Sequence, residues 1–327
     1  MSAQNDSKMS ARTAETLHIT NGDAVIYAFK KAGIVGTHLP WRDALYEGPV
    51  PAGLALEELS QVRGQYLATR GFGNPIKILH DLEQRDATVR RAAEFAEVVL
   101  WFEHDLYDQL HLLQLLPVLA EMRLAPGHIT IVQSGEYLGA MTADEISALY
   151  PKRRPVSAAM YATAKRAWDA FTSADPRALG EEIHDEDLGL PFLRAAMRRL
   201  CEEYPWTRDR MSRSHRQTLQ AVAHGPARNI DLFHREQALE EAAFLGDTAF
   251  YAILEDLRRE PALVEGVEGN FVPTALGRLV LAADSDWLEV ADTIDRWIGG
   301  VHLSGSQAVR WDDASATFRF AEQAVDS

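Results

Sequence analysis

The 327-residue chain is 46% apolar and 25% charged, with 33 basic against 48 acidic side chains and a net charge of −15; its length suggests two domains, and its charge opposes non-specific attraction to nucleic acid or anionic membranes. A lone cysteine, Cys201, excludes an intrachain disulfide framework and a cysteine-based zinc site. No apolar stretch reaches the roughly 20 residues of a membrane-spanning helix, and the polar N-terminus has no signal-peptide core, so a cytoplasmic protein is expected.

Along the chain, "TLHIT" (16–20) reads as a strand ended by the turn Asn21-Gly22, and Asp23 opens a helix that closes at Gly33. "IVGTHL" (34–39) reads as a second strand, broken by Pro40 before "WRDALYEGPVPAG", a loop too rich in proline and glycine for regular structure. Helical periodicity covers 55–70 and 76–96. "EVVLWFE" (97–103) and "HITIVQ" (128–133) do not alternate, so both are expected to be buried on two faces. Residues 14–150 therefore predict an α/β ligand-binding domain, a Rossmann-like, mostly parallel sheet covered by helices. "PKRRP" (151–155) reads as a solvated linker into a helical connector, 151–205. From 206 to 327, three helices, a Gly-rich hairpin and a helix opened by Thr274 predict a winged-helix-like accessory domain. That segment holds 12 arginines, no lysine and 20 acidic residues, a net charge of −8, so generic DNA binding is not expected.

In layered α/β domains, ligands gather beyond the carboxyl ends of the strands. Those ends present Asn21-Gly22-Asp23, then Trp41-Arg42-Asp43 with Glu47, then Glu103-His104-Asp105, then Ser134-Gly135-Glu136. Glu103, His104 and Asp105 are the candidate acid/base or metal-binding groups, and a divalent metal ion is the cofactor such a set would accept. Arg42 is the candidate anion clamp and Asn21 with Asp23 the orienters, while Trp41, Asp43, Ser134 and Glu136 complete a substrate-binding rim. Structural roles compete: Asp23 and Asp105 suit helix caps, Arg42 an ion pair, Ser134 a cap, and His111 a satisfied helix-face histidine. Neither G-x-G-x-x-G nor a Walker sequence occurs, so standard dinucleotide and P-loop chemistry have no support.

The segments "LHITNGD", "LPWRDALYEGPVP", "WFEHDLYDQLHLLQLL" and "SGEYLG" together resemble the bacterial domain-of-unknown-function family DUF1835 over residues 16–140. The tail, with "LGDTAFYAILEDL" and "DRWIGGVHL", is similar to the C-terminal part often joined to that domain. The resemblance implies the architecture and no activity. The expectation is an enzyme of hydrolase or transferase type acting on a polar or phosphorylated small molecule. The alternative is a ligand-sensing regulator or interaction protein whose tail serves as output, binding a protein partner or a second copy.

Overall fold

The computed structural model describes residues 15–184, 189–287, 295–305 and 309–320. β1 (Thr16–Thr20) leads through α1 (Ile26–Lys31) to β2 (Thr37–Pro40). β2 begins three residues later than its sequence pattern predicts, because Ile34 is still tied to α1 by its N–H bond to Phe29 O. Gly36 then passes so close to β1, at φ +147°, that a Cβ would lie 2.4 Å from Thr16 O.

The loop after β2 contains a two-residue strand, β3 (Gly48–Pro49), followed by α2 (Leu56–Thr69), α3 (Pro75–Arg90), β4 (Glu97–Phe102), α4 (Leu106–Glu121), β5 (Ile129–Gln133), α5 (Ala143–Leu149) and β6 (Arg154–Pro155). Five strands form one sheet in the order β2-β1-β4-β5-β6, parallel throughout except for the edge strand β6. Leu17, Ile19, Val98, Leu100, Phe102 and Ile131 face the main core, whereas Val99, Trp101 and Val132 face α1 and α5. Helices on both faces explain why β4 and β5 are apolar without alternation.

A helical region follows, with α6 (Ala158–Thr172), α7 (Arg177–Glu182) and α8 (Leu193–Cys201), then α9 (Arg213–Ala223), α10 (Asn229–Gln237) and α11 (Asp247–Asp256). The hairpin β7 (Val264–Val267) and β8 (Asn270–Pro273) leads to α12 (Ala275–Leu281), whose N-cap Thr274 accepts a bond from Gly277 N–H. These last elements, from α9 to α12, share a separate core around Leu219, Val222, Phe250, Leu254 and Val280.

Beyond them the chain turns back. β9 (Asp295–Gly299) pairs with β10 (Val301–Ser304) and also with β3, so the Pro/Gly-rich loop gains regular structure from a partner some 250 residues away. Pro49 is compatible with this short edge pairing because its missing N–H is not required there. β11 (Arg310–Asp312) and β12 (Thr317–Arg319) place Trp311 and Phe318 against Tyr204 and the main core. No helix among the described residues is long and apolar enough to cross a membrane.

Candidate active site at the strand ends

Asp105 is the N-cap of α4, and its side chain accepts a 3.1 Å bond from Asp108 N–H. Asp108 reaches back, its Oδ1 accepting from Glu103 N–H at 2.6 Å and its Oδ2 from Asn21 Nδ2 at 2.6 Å. Gln109 Nε2 donates to Glu103 O at 2.6 Å, and the Glu103 carboxylate accepts from Leu138 N–H at 2.7 Å. The turns after β1, β4 and β5 are thereby fastened to one another through acidic side chains.

The three carboxylates of Glu103, Asp105 and Asp108 are buried, and one oxygen from each lies within 4.8 Å of the others. Among the described residues none of the three has an ion pair with arginine, lysine or histidine. Burial, then Asp105, pushes Glu103 up to about 7; burial pushes Asp105 up to about 6. Burial, then its two acidic neighbours, also pushes Asp108 well above the usual carboxylate range. Each of the three therefore keeps its proton to a higher pH than an ordinary carboxyl does, unless a cation neutralises the group. Its oxygens are of the kind that hard divalent cations take, although both oxygens of Asp108 already accept hydrogen bonds.

Glu103 and Asp105 open onto a cavity of about 530 Å³ that Asn21, Arg42, Asp43 and Arg85 also line, with Tyr46, Tyr107, Tyr137 and Phe244 as aromatic walls. Arg42 and Asp23 form a bidentate pair, 2.7 and 2.5 Å, both about half exposed. Asp23 therefore sits beside the cavity, bound to one of its lining residues, and on the same end of the sheet as Glu103. Asp43 is buried against the fully buried Arg63, whose other N–H groups donate to Glu47 O and Ala44 O and so shape the loop.

Other rim residues have structural partners. Trp41 is fully buried, its Nε1 donating to Gln114 Oε1 at 2.8 Å. Ser134 Oγ closes a local turn, donating to Glu136 O and accepting from Glu136 N–H, while the Glu136 side chain is exposed. His111 Nε2 donates to Asp43 O at 2.6 Å, and burial pushes this imidazole down to about 4, which keeps it neutral.

His104 is the residue the structure separates from its neighbours. Its ring packs near Tyr137 and Phe192, at 5.0 and 6.0 Å, and lines a different cavity of about 590 Å³. No hydrogen bond joins it to Glu103 or Asp105. The chain bends at His104 and Asp105 as it leaves β4, so a run of three polar residues does not deliver all three side chains to one pocket.

Sequence reasoning missed Asp108, Arg85, the tyrosine walls and the segment Ala243–Gly246, which closes one side of the cavity. Arg85 had a readable signal. The buried stripe of α3 is Leu82, Arg85, Asp86 and Val89, so a charged pair occupies core positions of an amphipathic helix. Asp108 likewise sits in a helix whose neighbours are mostly leucine. The segment 243–246 is distant in sequence and gave no local signal. No family model matches the chain, and no curated protein matches it.

Proposed function

We propose that this chain is an enzyme of the hydrolase or transferase type, acting on a polar or phosphorylated small molecule in the strand-end cavity. The observation that carries this reading is the group of three buried carboxylates without a cationic partner. Structural acids inside proteins are paired, because an uncompensated buried charge is costly. Here burial raises both Glu103 and Asp105 toward neutrality beside a cavity, so that one can hold a proton while the other is free, the condition a general acid and base need. One carboxyl would protonate the leaving group while the other accepts a proton from the attacking nucleophile. A divalent cation held by the same oxygens would serve the same substrates by polarising them.

The experiment is a turnover screen of nucleotides, sugar phosphates and other phosphate esters, run with metal analysis of the purified protein. Glu103→Gln and Asp105→Asn are each expected to abolish turnover in a folded protein. Turnover that survives both substitutions would overturn the reading.

A second reading has its own support. The elements α9 to α12 follow the order of a winged helix, which favours an accessory domain from residue 206, and the link from α10 to α11 touches the cavity. Tyr137 Oη donates to Ala243 O at 3.0 Å, and Phe244 packs edge-on against Tyr46 at 5.1 Å. A ligand in the cavity would meet the residues that enter α11, as a sensor with a protein-binding or self-associating output requires. Acidic Glu255 on α11 and the tail's net charge of −8 favour a protein over duplex DNA as the partner. Ligand-dependent hydrogen exchange in α11 without turnover would favour this regulator. The resemblance to DUF1835 fits either reading, since it implies no activity.

A further inference from the structure

We propose that Arg85 anchors an oxyanion, a carboxylate or phosphate, of the ligand that enters the strand-end cavity. The inference rests on reading that cavity as the ligand site, and it names the chemistry that a charged donor on the same wall would recognise.

Arg85 is 3% exposed and lines the cavity. Its guanidinium is held on three sides. Nε donates to Asp86 Oδ1 at 2.9 Å, Nη2 donates to Ser60 Oγ at 2.9 Å, and the group lies 4.0 Å over the centre of the Trp41 ring. Asp86 is occupied in turn, its Oδ2 accepting from Ser60 Oγ at 2.5 Å. Nη1 is buried and, among the described residues, is the one guanidinium nitrogen of Arg85 with no hydrogen-bond partner; it is closed off from water, so an oxyanion meets it when the side chains that cover it give way. An unpaired N–H in such a place is costly, more so on a charged group, and an oxyanion satisfies it with a charge-assisted bond. The clamp of Ser60, Asp86 and Trp41 fixes the plane of the guanidinium before the ligand arrives, so little side-chain freedom is lost on binding.

The sequence pointed to Arg42 for this role. Arg42 already gives Nε and Nη2 to Asp23 in a bidentate pair, and it is half exposed. The better-placed donor is the buried one. With Glu103 and Asp105 also on the cavity wall, the site suits a molecule with an oxyanion and a separate proton-exchanging group.

The test uses the full chain and inorganic phosphate as the probe, titrated by calorimetry and by thermal shift at constant ionic strength, with acetate and glycerol as competitors. Saturable phosphate binding is expected, with Arg85→Lys weakening it about tenfold or more through loss of the planar donor edge. Arg90→Gln, which removes the same charge from the outer face of α3, should change it less than about twofold. Competition by acetate as well as phosphate would mark a general oxyanion site; phosphate alone would mark a phosphate site; glycerol should not compete. Should Arg85→Lys fail to fold, Trp41 decides: phosphate must change the tryptophan fluorescence of the native chain, and the change must vanish in Trp41→Phe. No saturable binding, binding indifferent to Arg85→Lys, or a fluorescence change that survives Trp41→Phe overturns the proposal.

The outcomes separate this proposal from the enzymatic reading. Neutral substrates turned over in a Glu103-dependent way, without any oxyanion response, would sink the role of Arg85 alone. An Arg85-dependent phosphate response beside turnover that ignores Glu103→Gln would sink the enzymatic reading alone.

Discussion

Two buried acidic clusters in this molecule differ in one respect. At the strand ends, Glu103, Asp105 and Asp108 have backbone and amide donors but no cation. At the junction of α8 and α9, Glu203 is equally buried, yet Arg199 meets it at 2.7 Å and Arg296 at 2.8 Å, and Ser214 Oγ donates to it at 2.5 Å. Burial pushes the Glu203 carboxyl up, but Arg199 and Arg296 outweigh burial and hold it well below the usual carboxylate range. The first cluster is pushed up toward neutrality and the second down. Counter-charge, and not burial, distinguishes acids available for chemistry from acids that hold helices together.

The largest effect should come from breaking the paired cluster. Arg199 also binds Glu240, at 2.6 Å, so Arg199→Met takes the nearest cation from two buried carboxylates and leaves Glu203 with Arg296 at 2.8 Å and Glu240 with Arg213 at 3.6 Å. A loss of about 3–5 kcal/mol is expected, read by urea unfolding. Because the folded pKa of Glu203 is depressed, its contribution is present above its ordinary value of 4.5 and lost as pH falls toward the folded value. A wild-type-like Arg199→Met would erase the contrast between the clusters.

Glu103 should behave with the opposite sign. Its folded pKa is raised, so its favourable contribution is complete below 4.5 and disappears as pH rises through about 7. Glu103→Gln, which can still accept the Leu138 N–H bond, should therefore match wild type at pH 4.5 and exceed it by about 1–2 kcal/mol at pH 8. Glu236 is also raised to about 7 by burial, and His18 and His215 are lowered to about 4, but these groups are common to both proteins and cancel in the difference. A Glu103→Gln variant less stable than wild type at every pH would move this cluster into the structural class.

Asp105→Asn is a finer cut. Asparagine keeps an acceptor for Asp108 N–H, so the cap should survive: stability should match wild type to within about 0.5 kcal/mol at low pH and, because burial raises the Asp105 pKa, exceed it as pH rises through about 6. Turnover or ligand response should be lost, because the shared proton is gone. A collapsed melting temperature with intact ligand response would show the cluster to be a fastening between strand ends.

How far the sequence revealed this site follows from the range of each signal. β1, β4 and β5 were legible because two-sided burial writes a local apolar run, and α4 was legible from its cap at Asp105. The convergence of Asn21, Arg42, Glu103 and Asp105 followed from the parallel-sheet rule applied to strand ends. What failed depends on side-chain direction or distant partners. Trp41 reads as a rim aromatic but is the buried platform under Arg85. Asp256 of α11 contacts Arg70 of α2 at 3.4 Å, a partner that no stretch of sequence around either residue announces. β3 exists only because β9 returns to it, and no window around Gly48 contains that information.

The smallest effect on ligand response separates direction from sequence proximity. His104 lies between two carboxylates in the chain, and read from the sequence it is their acid/base partner. In the fold its ring lies near Tyr137 and Phe192, its Nδ1 has no hydrogen-bond partner, and burial lowers its pKa from the ordinary value. A neutral, aromatic-packed imidazole contributes by contact alone, so His104→Ala should cost about 1 kcal/mol, leaving the pH profile and the phosphate response as in wild type. Glu103→Gln run alongside supplies the contrast, since it should alter the pH profile without lowering stability at any pH. If His104→Ala abolished turnover with only that small stability loss, the imidazole would have to swing past Tyr137 to reach the carboxyl pair. The two cavities would then be parts of one site, and the paired-versus-unpaired distinction would need His104 added as a third proton-exchanging group.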